Sequence, residues 1–193
     1  MNYAGVLKKN LTTSIDAKKD FLERSDQLEV FDSVAQCLIK HYKHGGRLYI
    51  AGNGGSAADA QHLAAEFVSK LAKDRDPLPA EALTVDSSIL TAIGNDYGFD
   101  QIFSRQIAGK MTDKDVFLGI TTSGNSKNII RAIEQCKLMN IPSILFSGHT
   151  GGVAQSLADF SILVPGHTTA TIQELHIVLA HSLCECIEME IFG

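Results

Sequence analysis

The sequence has no tryptophan, 7% aromatic residues, four prolines and four cysteines among 193 residues. Cysteine is too sparse for a disulfide-stapled scaffold, and proline too sparse for a polyproline or low-complexity chain. No uninterrupted apolar stretch approaches the ~18 residues of a membrane span. Met1-Asn2-Tyr3 opens a polar amphipathic segment where a secretory leader would carry its apolar run. Positive charge is also short. With 17 Lys and Arg against 22 Asp and Glu, the net charge of −5 provides no basic surface for sequence-independent grip on nucleic acid or an anionic membrane. These absences point to a cytoplasmic protein with no nucleic acid and no membrane as partner, in which a bound anion is held by a local site.

What is present is an ordinary globular composition, 45% hydrophobic and 20% charged. The length is near one domain's worth, at roughly 150 residues per domain, so residues 1–193 read as a single domain. Cys37 and Cys136 sit among apolar residues in helix-like stretches. Cys184 and Cys186 lie two apart on a helical stretch and so point about 200° away from each other. All four read as reduced thiols acting as small hydrophobes.

From Val6 to about Tyr42 apolar residues recur at helical spacing: Leu7, Leu11, Ile15 and Leu22, then Leu28, Phe31, Ala35, Leu38 and Tyr42, with Lys18 breaking the stripe. Two amphipathic helices therefore precede any strand, and residues 1–44 suit an oligomerisation segment that buries its stripe against another subunit. After His44-Gly45-Gly46 the period changes. Strands are predicted at Arg47 to Ala51, Glu81 to Val85, Val116 to Ile120, Ser143 to Phe146 and Ser161 to Val164. Helical segments between them are predicted at Ala57 to Leu71, Ser87 to Ile93, Gln101 to Lys110, Lys127 to Met139 and Val153 to Leu157, with a long one from Ile172 to Ile191. Short buried runs separated by helices imply an α/β chain: over residues 45–193, a parallel sheet covered on both faces, with ligands bound outside the carboxyl ends of its strands.

Two strand ends carry the chemistry. The first runs through Gly52-Asn53-Gly54-Gly55-Ser56 into a helix, where glycines permit close approach of a ligand and free N–H groups attract an anion. Its loose match to a dinucleotide fingerprint fails for want of an acidic residue at the end of the second strand. The other runs through Thr121-Thr122-Ser123-Gly124-Asn125-Ser126, and four hydroxyls are more than an N-cap needs but suit a phosphate monoester. On the first loop's helix, His62 and Glu66 are four apart, a pairing that alone is compatible with a plain surface contact. On the last helix His176 and His181 diverge by about 140°, so one of them is functional. Gln173 and His181 stand roughly 12 Å apart along its axis and share a ligand only by leaning together.

These motifs, together with Asp59-Ala60-Gln61-His62, Gly94-Asn95-Asp96-Tyr97-Gly98-Phe99 and Ile172-Gln173-Glu174-Leu175-His176, resemble the phosphoheptose isomerases in order and spacing over nearly the whole chain. The resemblance implies the three-layer sugar isomerase (SIS) fold, a flavodoxin-like five-stranded parallel sheet flanked by helices, with two extra N-terminal helices. It implies an aldose-ketose isomerase converting sedoheptulose 7-phosphate to D-glycero-D-manno-heptose 7-phosphate through an enediol, early in heptose biosynthesis for bacterial surface glycans such as lipopolysaccharide. A homotetramer with active sites at subunit interfaces is implied as well. Carried over by position, the substrate contacts are Asn53, Gly54, Gly55, Ser56, Glu66, Asn95, Asp96, Thr121, Thr122, Ser123, Ser126 and Gln173. Glu66 and His181 are the catalytic pair, and His62, Glu66, Gln173 and His181 are the ligands of one zinc per subunit. Thr121 stands where Ser is frequent, Lys70 where Arg is, and Thr168 and Thr171 where an Asp and a basic residue are common. A non-catalytic SIS module that binds DnaA, or an isomerase of another sugar phosphate, is the alternative reading.

Overall fold

The computed structural model describes residues 2–193. Two helices, α1 (Tyr3–Leu22) and α2 (Ser25–Lys43), lead into β1 (Leu48–Gly52) and α3 (Gly55–Val68). Then come β2 (Ala80–Ala82), α4 (Ser87–Tyr97), a 3-10 turn at Phe99–Gln101, α5 (Ser104–Lys110) and β3 (Val116–Thr121). The chain closes with α6 (Lys127–Leu138), β4 (Ser143–Gly148), a 3-10 turn at Ala154–Ser156, β5 (Phe160–Val164) and α7 (Thr169–Phe192). All five strands pair in parallel in the order β2-β1-β3-β4-β5. This is the expected flavodoxin-like sheet. The order in which strands are added reverses between β1 and β3, whose carboxyl ends align in register at Gly52 and Ile120. Crossovers leave these two strands towards opposite sides, so a crevice opens between their ends.

Each face of the sheet is covered. One core joins Leu48, Ile50, Leu118, Ile120, Ile144 and Phe146 to α2, α3 and α7, and the other joins Tyr49, Ala51, Phe117 and Leu145 to α5 and α6. The central strands β1, β3 and β4 are buried at every position, which is why they read as continuous apolar runs rather than alternating ones. Both sheet edges are guarded. On β5 the Leu163 N–H donates to the Gln27 side chain of α2 at 2.7 Å, and β2 is three residues long.

Some element ends differ from expectation. Helix α3 stops at Val68 rather than Leu71 because the Arg75 guanidinium takes the Glu66 and Phe67 carbonyls and Glu188 takes the Leu71 N–H. Strand β2 ends at Ala82, though Leu83 still donates to the Ile50 carbonyl before the chain turns into α4. On α1 the packed face is Ser14, Ala17 and Phe21, with the Ser14 hydroxyl donating to Glu174 of α7. The apolar stripe of Leu7, Leu11, Ile15 and Leu22 is left exposed.

Helix α7 is buried on two sides, and His176 lies within it beside Phe146, with ring centroids 6.1 Å apart and neither ring nitrogen hydrogen-bonded. Burial lowers its pKa from 6.5 to about 4, against a small opposing pull from the Ser147 backbone. Above pH 6.5 the ring is neutral folded or unfolded and costs nothing. Below that the unfolded chain takes up the proton and the folded chain does not, so stability falls by roughly 3 kcal/mol in total as pH drops to about 4. Urea denaturation from pH 7 to 4 should show this loss in the wild type and a flatter profile in His176→Leu; matching slopes would disprove the assignment.

Candidate active site

The crevice between β1 and β3 holds a cavity of about 300 Å³ lined by Asn53, Gly54, Gly55, Ser56, Thr121, Thr122, Ser126 and Gln173, with Ile120 and Thr169. Its floor is made of two helix N-termini. Gly54, at φ 56, turns the chain from β1 into α3 through a left-handed conformation that glycine adopts without strain. Neither α3 nor α6 has a side-chain cap, whereas α4 is capped by Asp86 and α7 by Thr168. Uncapped first turns leave N–H donors and the positive end of each helix dipole facing the cavity, the ordinary arrangement for binding an anion. Thr168, which stands where the resemblance leads one to expect an acid, therefore serves as a helix cap.

Hydrogen bonds hold the cavity walls. The Thr121 and Ser126 hydroxyls pair at 3.0 Å across the loop. Asn125 closes that loop, accepting from the Val153 N–H and donating to the Ser123 carbonyl. Asn53 is held by a reciprocal amide pair with Asn128 at 2.8 and 2.9 Å. Asn128 is buried in the first turn of α6 and was not singled out in the sequence, where an Asn at that point looks like ordinary capping chemistry. On the opposite wall the Gln173 amide approaches Gly55 so closely that a Cβ there would collide with it.

Beyond this cavity α3 and α7 bring three donors together. His62 Nε2 lies 2.9 Å from His181 Nε2 and 3.3 Å from Glu66 Oε1, and one ligand atom from each of the three residues falls within 4.8 Å of the others. Two facing imidazole nitrogens at this separation share at most one proton, so a lone pair and a carboxylate converge on one point. That donor set, two imidazoles and a carboxylate without thiolate, fits a metal ion of the catalytic kind. Asp59, one turn before His62, has a carboxylate oxygen buried without a partner, and burial raises its pKa against the pull of His62. Of the two histidines of α7, His181 stands in this cluster and His176 belongs to the core.

Some expected residues lie elsewhere. Asn95 and Asp96 are exposed at the end of α4 and bond to each other at 2.7 Å. Ser123 is exposed on the rim of the β3–α6 loop, outside the lining. Lys70 is exposed and faces Asp74 at 3.3 Å. A larger cavity of about 730 Å³, lined by Lys40, His41, Lys137 and Asp159 among others, opens at the amino ends of β4 and β5. It lacks uncapped helix N-termini and lies at the end of the sheet where this architecture does not place ligands, so the smaller cavity is the candidate.

Comparison with known proteins agrees with this geometry. The SIS domain family matches residues 14–148. A phosphoheptose isomerase of Aneurinibacillus thermoaerophilus is 48% identical over 186 residues, covering 96% of this chain and 94% of that protein. Among solved structures, a phosphoheptose isomerase from Francisella tularensis superposes with a TM-score of 0.92 at 34% identity, covering 98% of this chain and 100% of that one. One from Neisseria gonorrhoeae gives 0.90 at 39% identity, covering 96% and 98%.

A divalent transition metal should raise the melting temperature of the protein, since at a hundredfold excess over Kd ligation adds about 2.7 kcal/mol. His181→Ala should abolish the rise; an equal rise in that variant would place the ion elsewhere.

Proposed function

Because the chain belongs to the phosphoheptose isomerases of the SIS-domain family, we propose that it interconverts sedoheptulose 7-phosphate and D-glycero-D-manno-heptose 7-phosphate in the cytoplasm. The observation that carries this reading is the placement of the His62, Glu66 and His181 cluster, on α3 and α7, beside an anion cradle built on the starts of α3 and α6. Along α3, Ser56 and His62 are separated by about 9 Å at 1.5 Å per residue, and along α7 Gln173 and His181 are separated by about 12 Å. A seven-carbon sugar with its phosphate in the cradle extends its carbonyl end to the cluster.

The phosphate is held by backbone N–H groups of α3 and α6 and by hydroxyls of Ser56, Thr121, Thr122 and Ser126, with Gly54 and Gly55 permitting the approach. Asn53, fixed by Asn128, and Gln173 orient the sugar. Glu66 takes the proton from C1 of the ketose, and the electrons left behind form the C1–C2 double bond of the enediol. Returning that proton to C2 gives the aldose, while His181 carries the hydroxyl proton from O1 to O2. Zinc, held by His62, Glu66 and His181 with Gln173 as the fourth ligand implied by its family position, would supply Lewis-acid polarisation of the carbonyl.

Asn95, Asp96, Tyr97 and Phe99 are exposed on a helix and turn with no fully buried residue, and the α1 stripe is exposed as well. These faces support a homotetramer in which residues 1–44 join subunits and α4 offers Asn95 and Asp96 to a neighbouring site.

In an isomerisation assay, Glu66→Gln and His181→Ala should each lose about 10²- to 10⁴-fold in turnover while still binding sugar phosphate; full activity in either would remove that residue from the mechanism. Pentose and hexose phosphates run in parallel should react far more slowly than the heptose.

Light scattering should give four times the 20.8 kDa of one chain, and Leu11→Glu with Ile15→Glu should reduce that mass. A wild-type monomer at micromolar concentration would contradict the assembly.

A further inference from the structure

Below the His62, Glu66 and His181 cluster, α3 and α7 are joined a second time by a buried ion pair. Glu188 follows His181 by seven residues and so lies on nearly the same face of α7, about 10 Å further along its axis. Its carboxylate accepts from Arg75 Nε at 2.8 Å and from the Leu71 N–H at 3.0 Å. The remaining guanidinium nitrogens turn back onto the end of α3, with Nη2 donating to the Glu66 carbonyl at 2.9 Å and Nη1 to the Phe67 carbonyl at 2.8 Å. The Arg75 and Glu188 side chains are 1% and 3% exposed, and the Phe192 ring covers the guanidinium at 5.6 Å.

A buried ion pair is poor value for stability alone, because the desolvation of both charges offsets most of their attraction and apolar replacements are often neutral. Geometry gives this one a role. Arg75 is bonded at once to the backbone of the residue that carries the catalytic carboxylate and, through Glu188, to the helix that carries His181. We propose that Arg75 is a positioning residue whose planar fork sets the spacing and register of α3 against α7, and thereby the convergence of Glu66, His62 and His181. The proposal rests on the active-site assignment given above. Lysine cannot reproduce it, since a single ammonium does not span three acceptors in a plane.

The test uses Arg75→Met/Glu188→Leu, which removes both charges together and leaves neither buried alone, alongside Arg75→Lys. At a melting temperature near wild type, the double variant should lose roughly ten- to hundredfold in kcat and in affinity for zinc, measured by chelator competition, with KM for the sugar phosphate little changed. Arg75→Lys should fail to restore either value. A folded double variant with wild-type kcat and zinc affinity, beside an active wild-type enzyme, overturns the positioning role alone. A wild-type protein that neither isomerises the heptose nor binds zinc overturns the active-site assignment and this role with it.

Discussion

The parallel pairing of β1 with β3 is the constraint from which the rest of the molecule follows. Once Leu48 to Gly52 lie in register with Val116 to Ile120, both strands deliver their loops to the same end of the sheet while their following helices depart to opposite faces. The crevice is a topological consequence and needs no residue of its own. What the residues supply is its lining: glycines where α3 begins, hydroxyls where α6 begins, and no side-chain cap at either start. The same strands fix the bearing of α3, and α7 is laid against it across the core containing Leu63, Phe67 and Leu183.

On the proposed reading, an acidic chain acquires an anion site without concentrating positive charge. Helix dipoles and oriented N–H groups are neutral in the charge count yet act over the few ångströms that matter in a cleft. The division of labour is spatial. In the proposed reading the starts of α3 and α6 hold the inert end of the ligand, and the ionisable groups stand further down α3 and on α7, where bonds change. Because α3 and α7 each contribute to both regions, a small rotation of either would disturb binding and chemistry together.

Much of this was legible in the sequence because the relevant signals are local. Buried parallel strands appear as short apolar runs, and glycine- or hydroxyl-rich strand ends mark the cavity, so the parallel sheet and the residues around Asn53 and Thr121 were readable, while its flavodoxin-like arrangement came from the resemblance. Pairings across long separations were not. Lys73-Asp74-Arg75-Asp76-Pro77 is a charged stretch with the look of a helix exit and turn, yet the Arg75 side chain is enclosed, because its partner lies 113 positions away. Asn128 is likewise an unremarkable helix-start residue until Asn53 is placed opposite it. Helical periodicity marked the apolar face of α1 but not which face this chain itself would cover; the covered face is set by Ser14 meeting Glu174 and by Phe21. For Asn95 and Asp96 the motif gave identity without location, since α4 buries none of its residues within the chain.

The guarded sheet edges bear on how copies of the chain can meet. With the Leu163 amide of β5 engaged by Gln27 and β2 only three residues long, each border is a poor template for another strand to continue. Cross-chain hydrogen-bonded ladders, the route to open-ended fibres, are disfavoured. Crowded copies are left to meet through side-chain packing between helices, a mode that can terminate in a finite particle and remain soluble.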